Sequence, residues 1–158
     1  MNLHPILYAE DNEDDVFLLQ DAFERAGISN RLIVVRDGQA AIEYLAGTGD
    51  FADRAKHPLP CLAVLDLKMP RRTGLEVLGW IRGQAGWRWL PVIMFTSSAH
   101  HRDVRHAYDL GVNAFLVKPL SVKVRADVCR ALKHFWLSYN ETPPHCGETA
   151  GASANSDM

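Results

Sequence analysis

The chain has 158 residues, of which 47% are hydrophobic and 23% are charged, and these values are typical of one soluble globular domain with room for a core. Its formal net charge of -2 excludes the overall basic field that attracts nucleic acids or anionic membranes. No apolar run approaches membrane length. The three cysteines, Cys61, Cys129 and Cys146, form no CxxC pair, so we expect reduced thiols in a cytoplasmic protein. From the charge and the apolar runs we expect no DNA-binding domain and no membrane anchor.

Five short apolar runs, each followed by a segment with helical periodicity, predict five strands that alternate with five helices. The strands are expected at 6–9, 32–35, 62–66, 92–95 and 114–117. The helices are expected at 13–26, from 38 to near 47, from 74 to about 82, from about 100 to 110, and from 122 to about 137. A long loop at 47–60 precedes the third strand, and the small, polar residues 140–158 predict a disordered tail after a domain that spans 1–139.

Strands that alternate with helices form a parallel sheet covered by helices on both faces. Five such units fit the doubly wound, flavodoxin-like order 2-1-3-4-5, in which the first and third strands flank the point where the strand order reverses. The carboxyl ends of parallel strands lie at one edge of the sheet. Side chains that end different strands are therefore expected to meet there.

Acid, hydroxyl and amine groups end four of the five predicted strands. Glu10 and Asp11 follow the first strand, Asp66 ends the third, Thr96 the fourth and Lys118 the fifth. Crowded carboxylates repel unless a cation lies among them, and Mg²⁺ prefers such oxygen ligands and works beside phosphoryl groups. The lysine supplies charge for an anion, and an aspartate can form an acyl phosphate. The combination predicts phosphoryl transfer onto Asp66.

Each of these residues also has a plainer explanation. Asp11 and Thr96 could simply cap helices, and Lys118 could be a solvated lysine at the end of a strand. The coincidence of suitable groups at four strand ends favours a shared site over these separate explanations. The seven histidines form no i, i+4 pair of the kind that binds a metal on a helix, so we interpret them as surface residues.

An ordered set of motifs resembles the receiver domain of two-component response regulators, the CheY-like family, over residues 6 to about 137. The set consists of Glu10-Asp11, Asp66, Met69-Pro70 with Gly74, Thr96, and Lys118-Pro119. This resemblance implies a phosphorelay protein rather than a conventional enzyme, in which a sensor histidine kinase phosphorylates Asp66.

The resemblance also implies roles for the neighbouring residues. Asp11, Asp66 and the Lys68 carbonyl would hold Mg²⁺, and Glu10 would assist through water. Lys118 would contact the phosphoryl group, while Thr96 and Phe115 would form the switch. Glu10 stands where aspartate is commoner, and Phe115 stands where tyrosine is more usual.

Three further features resemble the single-domain regulators that serve phytochrome-type histidine kinases. These are the long loop before Cys61, the apolar segment 134–137, and the expectation that no output domain follows the fifth strand and its helix. The resemblance implies a bacteriophytochrome as the partner kinase.

Two rival functions remain: a pseudo-receiver that only docks to proteins, and a phosphohydrolase. Asp66-Leu67-Lys68 lacks the second aspartate that would serve a hydrolase as general acid.

Two structural expectations concern the end of the chain. The Lys118–Pro119 peptide is predicted to be cis, because the chain must turn sharply while the amine points back to the site. The last helix carries a second apolar stripe through Val122, Cys129 and Trp136, which predicts a two-fold homodimer whose affinity responds to phosphorylation. The alternative is that Trp136 covers the end of the sheet in a monomer.

Overall fold

The computed structural model describes residues 3–97 and 99–144. Cys146 and most of the predicted tail lie outside these residues. Five parallel strands form one sheet in the order β2-β1-β3-β4-β5, which confirms the predicted topology. The strands are β1 Ile6–Ala9, β2 Leu32–Val35, β3 Leu62–Leu65, β4 Val92–Thr96 and β5 Ala114–Val117.

Five helices cover the two faces of this sheet. They are α1 Glu13–Ala26, α2 Gly38–Ala46, α3 Gly74–Gly83, α4 His101–Leu110 and α5 Val122–Leu132. One core cluster joins the sheet to α2, α3 and α4, and a second joins it to α1 and α5. The central strands β1, β3 and β4 are buried along their whole length, whereas every residue of the edge strand β5 is at least partly exposed.

The register of the strands aligns their carboxyl ends. Ala9 pairs with Leu65, and Leu65 pairs with Met94. Asp66 lies one residue beyond the assigned β3 strand, although its backbone N–H still donates to the Ala9 carbonyl at 3.0 Å. The side chains that follow β1 and β3 therefore start from neighbouring positions at one edge.

The loop at 47–60 contains a 3₁₀ turn, Gly49–Phe51, and is fixed to the end of α2. The guanidinium of Arg54 donates to the Tyr44 and Leu45 carbonyls, both at 2.7 Å. The Tyr44 hydroxyl donates to the Pro58 carbonyl at 2.7 Å. Since the last carbonyls of a helix have no partner within it, these bonds explain how so long a loop becomes ordered.

The end of the last helix differs from the prediction. The α-helix stops at Leu132, and the chain continues as a π-helical segment, Lys133–Tyr139. Within it the Ser138 hydroxyl donates to the Lys133 carbonyl at 2.9 Å. This wider helix buries Leu137 but leaves Phe135 exposed, so a stripe assigned with α-helical spacing alone fails here.

The predicted assignment of faces on α5 was wrong. Ala126 and Cys129 are buried, and Cys129 belongs to the core cluster beneath α1 and α5. Val122 and Val124 are instead exposed. The two stripes are adjacent on one helix, and the small buried residues lie on the helix that packs against α1. Cys129 is thus a core residue, not a surface contact.

The Lys118–Pro119 peptide is trans, because no cis peptide bond occurs in the part of the chain that the structure describes. The prediction of a cis bond was therefore wrong. The long lysine side chain reaches the site without it. The Pro119 carbonyl accepts a hydrogen bond from the Arg125 guanidinium at 2.7 Å, which holds the turn that leads into α5.

Candidate functional site

Three carboxylates meet at the carboxyl edge of the sheet. Glu10, Asp11 and Asp66 each place one oxygen within 4.8 Å of the others. Asp66 and Glu10 are buried, whereas Asp11 is exposed. This cluster offers hard oxygen ligands of the kind that Mg²⁺ and Mn²⁺ prefer. The donor set thus fits a divalent cation with access from solvent.

The two oxygens of Asp66 have different surroundings. Its Oδ1 accepts a hydrogen bond from the Leu67 backbone N–H at 2.8 Å. Its Oδ2 lies 3.7 Å from the Lys118 Nζ. The backbone bond fixes the orientation of the carboxylate, so one oxygen is held by the chain while the other faces the amine.

Glu10 is held from three sides. Its Oε1 accepts from the Asn12 backbone N–H at 3.1 Å, and its Oε2 accepts from the Lys118 Nζ at 2.8 Å and the Tyr8 hydroxyl at 3.4 Å. Burial raises the pKa of Glu10 to about 7, although the hydrogen bond from Lys118 opposes this shift. Since both oxygens already have partners, Glu10 is better placed to support a cation through water than to bind it directly.

Lys118 follows β5 and lies among the acids. Its Nζ is 2.8 Å from Glu10, 2.9 Å from Asp15 and 3.7 Å from Asp66. Burial by itself lowers the pKa of this amine, but the hydrogen bonds to Glu10 and Asp15 outweigh that effect and raise it. Lys118 is therefore a fixed cation that compensates several carboxylates at once.

The remaining predicted site residues differ in how deeply they are buried. Thr96 is the buried last residue of β4, and Lys118 donates its backbone N–H to the Thr96 carbonyl at 2.7 Å. Phe115 is partly buried within β5 and packs against the core on the side of α2, α3 and α4. The Lys68 side chain is exposed. Of the predicted interface residues, Val122 is exposed, and Trp136 is partly buried against the core beneath α1 and α5.

Gly74, at the start of α3, lies against the backbone of Asp66. Its N–H donates to the Leu67 carbonyl at 2.9 Å. A Cβ at this position would overlap the Asp66 carbonyl oxygen and would lie 2.7 Å from the Met94 Cε. The absence of a side chain thus allows α3 to begin directly behind the buried carboxylate.

Two polar contacts of the site were not predicted from the sequence. Asp15 lies with Glu13 and Asp14 in the first turn of α1, where acids are favourable without any further role, yet it binds Lys118. Tyr8 lies in a fully buried strand and contacts Glu10. The sequence did hold an indication, because Tyr8 and Glu10 are two residues apart and side chains two apart on a strand share a face.

The family model for the response regulator receiver domain matches residues 6–128. The fold, its strand order and the acid and lysine site agree with that match. The chain therefore belongs to the receiver domain family of response regulators, which are signalling proteins of two-component systems rather than conventional enzymes.

Two curated relatives have similar length. The chain is 37% identical over 138 residues to the probable methanogenesis regulatory protein FilR2 of Methanothrix harundinacea, covering 87% of this chain and 86% of that protein. It is 34% identical over 132 residues to the response regulator Rcp1 of Synechocystis, covering 84% and 88%.

Solved structures give the same relationship. Response regulator RPA3017, in red light signalling of R. palustris, has a TM-score of 0.85 at 37% identity, over 90% of this chain and 99% of that one. The phosphorylated cyanobacterial phytochrome response regulator RcpA has a TM-score of 0.82 at 30% identity, over 91% and 100%. The Mn²⁺-bound form of Rcp1 has a TM-score of 0.77 at 33% identity, over 88% and 98%. The chain is thus related to phytochrome response regulators. Among the residues that the structure describes, no helix is long and apolar enough to cross a membrane.

Proposed function

We propose that this protein is a response regulator that accepts a phosphoryl group on Asp66 from a sensor histidine kinase and then signals through protein contacts. The observation that carries the proposal is the environment of Asp66. Its Oδ1 is held by the Leu67 N–H at 2.8 Å, its Oδ2 faces the Lys118 Nζ at 3.7 Å, and two further acids lie beside it. A fixed carboxylate beside a cation suits a nucleophile that becomes an anionic acyl phosphate.

The cation that completes the site is Mg²⁺. Asp11 and Asp66 would hold it with the Lys68 carbonyl, and Glu10 would assist through water, because its oxygens already accept hydrogen bonds. The structure of Rcp1 with Mn²⁺ supports a divalent ion in this family. When bound, the ion neutralises charge on the phosphoryl oxygens.

In the transfer step, the Asp66 carboxylate attacks phosphorus in the phosphohistidine of the kinase. The new O–P bond forms as the N–P bond breaks, and the histidine nitrogen keeps the electron pair of that bond. Lys118 balances negative charge on the phosphoryl group as it arrives. Thr96 and Phe115 would then couple the modified site to the surface of β5.

A bacteriophytochrome is the kinase we propose as partner. Relatives described as regulators in red light signalling and as phytochrome response regulators support this choice. We also place the protein in the cytoplasm, because Cys61 and Cys129 are free thiols and such thiols suit a reducing compartment.

Phosphotransfer from a panel of autophosphorylated histidine kinases, including bacteriophytochromes, tests the function. The expected result is transfer of label to the wild-type protein and none to Asp66→Asn. No transfer from any kinase would favour the rival docking module. Steady turnover of a small phosphate ester would instead favour the hydrolase.

The exposed apolar residues near β5 favour a second role, self-association. Val117, Leu120, Val122 and Val124 are all exposed on β5, the following turn and α5. We propose a two-fold homodimer through this surface, with Cys129 excluded because it is buried. Sedimentation of wild type and Val122→Asp tests it, and a wild-type monomer at high micromolar concentration, with and without a phosphoryl analogue, would refute it.

A further inference from the structure

Asp15 binds the amine that serves the phosphoacceptor. Its Oδ2 lies 2.9 Å from the Lys118 Nζ, closer than the 3.7 Å between that Nζ and Asp66 Oδ2. A distance of 2.9 Å is a hydrogen bond, whereas 3.7 Å is beyond hydrogen-bond range. In the unmodified protein the amine is therefore bonded to Asp15 and Glu10 rather than to Asp66.

The position of Asp15 is fixed by the start of α1. The Asp15 N–H donates to the Asn12 Oδ1 at 3.0 Å, which caps the helix. The adjacent Val16 is buried in the core. Because both its backbone and the following residue are anchored, Asp15 presents its carboxylate to Lys118 from a rigid element.

We propose that Asp15 is a positioning residue that holds the Lys118 amine away from Asp66 and releases it when a phosphoryl group is bound. This inference rests on the proposed function. A lysine has three N–H donors, and in Lys118 Glu10 and Asp15 each accept one of them. Asp15 also adds negative charge near an incoming anion. Both effects oppose binding of the phosphoryl group, so Asp15 sets how readily the modified state forms.

A purely structural ion pair would behave differently. Loss of such a pair lowers the free energy of unfolding and removes one charge near the analogue, but it leaves the amine in place. Loss of a positioning residue both moves the amine and tightens analogue binding. The affinity and the position of the amine, measured together, therefore separate the two roles.

The matched control is Asp14, which carries the same charge in the same turn of α1 but is exposed. Asp15→Ala, Asp15→Asn and Asp14→Ala would be titrated with beryllofluoride, a phosphoryl analogue, at saturating Mg²⁺. We expect Asp15→Ala to bind about tenfold more tightly than wild type, because one nearby, largely buried charge and one competing bond are removed. The affinity of Asp15→Asn should lie between those of wild type and Asp15→Ala. The affinity of Asp14→Ala should differ from that of wild type by less than about twofold, because salt screens an exposed charge.

A second measurement does not depend on the analogue. In crystals of metal-free Asp15→Ala, the Lys118 Nζ should move to about 3 Å from Asp66 Oδ2, which is hydrogen-bond distance. An amine that stays in place, or an affinity equal to or weaker than that of Asp14→Ala, would overturn the inference. If wild type binds no beryllofluoride but the amine moves in the variant, the proposed function fails and the positioning role stands. Asp15→Asn keeps the test open if Asp15→Ala does not fold.

Discussion

The amine of Lys118 lies 2.8 Å from the carboxylate of Glu10, although the two residues are 108 positions apart in the chain. Both side chains are almost fully buried. This pair joins the end of β1 to the end of β5 across the carboxyl edge of the sheet. It gives the acid cluster an internal cation before any metal or phosphoryl group binds.

Removing that cation should destabilise the metal-free protein. Lys118→Met leaves the carboxylates of Glu10, Asp15 and Asp66 without their shared partner. We expect the free energy of unfolding to fall by about 3 kcal/mol, as for other buried pairs that lose one member. Urea denaturation at pH 8 with a chelator measures it. The exposed Lys123→Met is the control and should change by less than about 0.5 kcal/mol; equal values for both variants would contradict the prediction.

Mg²⁺ binding should depend more on Asp11 than on Glu10. Asp11 is exposed and belongs to the acid cluster, whereas both oxygens of Glu10 accept hydrogen bonds within the protein. Asp11→Ala should weaken binding by about tenfold or more, and Glu10→Gln by a smaller factor. Calorimetric titration compares them, and equal or reversed losses would show that Glu10 is a direct ligand.

Gly74 should tolerate no side chain. In Gly74→Ala the new Cβ would overlap the Asp66 carbonyl oxygen, so α3 or the phosphoacceptor must shift, at a cost of about 1 to 3 kcal/mol. Gly83 ends the same helix and has no atom within 4 Å of its Cβ position. Gly83→Ala should therefore be neutral or stabilising by up to about 1 kcal/mol. Thermal unfolding of the two variants decides, and equal melting temperatures would refute the prediction.

The buried thiols should react slowly while the protein is folded. Burial raises the pKa of Cys61 and of Cys129 to about 11, so at pH 8 only about one part in a thousand of each is the reactive thiolate. An exposed cysteine with a pKa near 8.5 would be about a quarter ionised. In a Cys146→Ser background, a disulfide reagent should label neither thiol until denaturant is added. Rapid labelling of Cys129 in the folded protein would show that this residue is at the surface and would contradict the prediction.

The sequence was sufficient to predict the sheet because the patterns that define its strands are local. Apolar runs of four residues between helical segments define β1 to β5, and parallel topology then brings Glu10, Asp66 and Lys118 to one edge. The contact between Asp15 and Lys118 joins residues 103 positions apart. The sequence around Asp15 does not reveal this contact, because an acid in the first turn of a helix is already favourable without any distant partner.

The faces of α5 could not be assigned from periodicity. The helix carries two apolar stripes, and only its packing on α1 decides which one is buried. The change to a π-helix at Lys133 also alters the spacing of side chains, so Phe135 and Leu137 could not be placed with the α-helical repeat. The bond before Pro119 keeps the trans form that X–Pro peptides ordinarily prefer, and the sharp turn expected there did not require a cis bond.

Phosphorylation of Asp66 is tested most directly by locating the phosphoryl group. The protein with Mg²⁺ would be incubated with radiolabelled acetyl phosphate, and the labelled peptide identified by mass spectrometry. Asp66→Asn would be treated in parallel and checked by circular dichroism. We expect one labelled residue, Asp66, and no label on the folded Asp66→Asn variant. Undiminished label on that folded variant would contradict it.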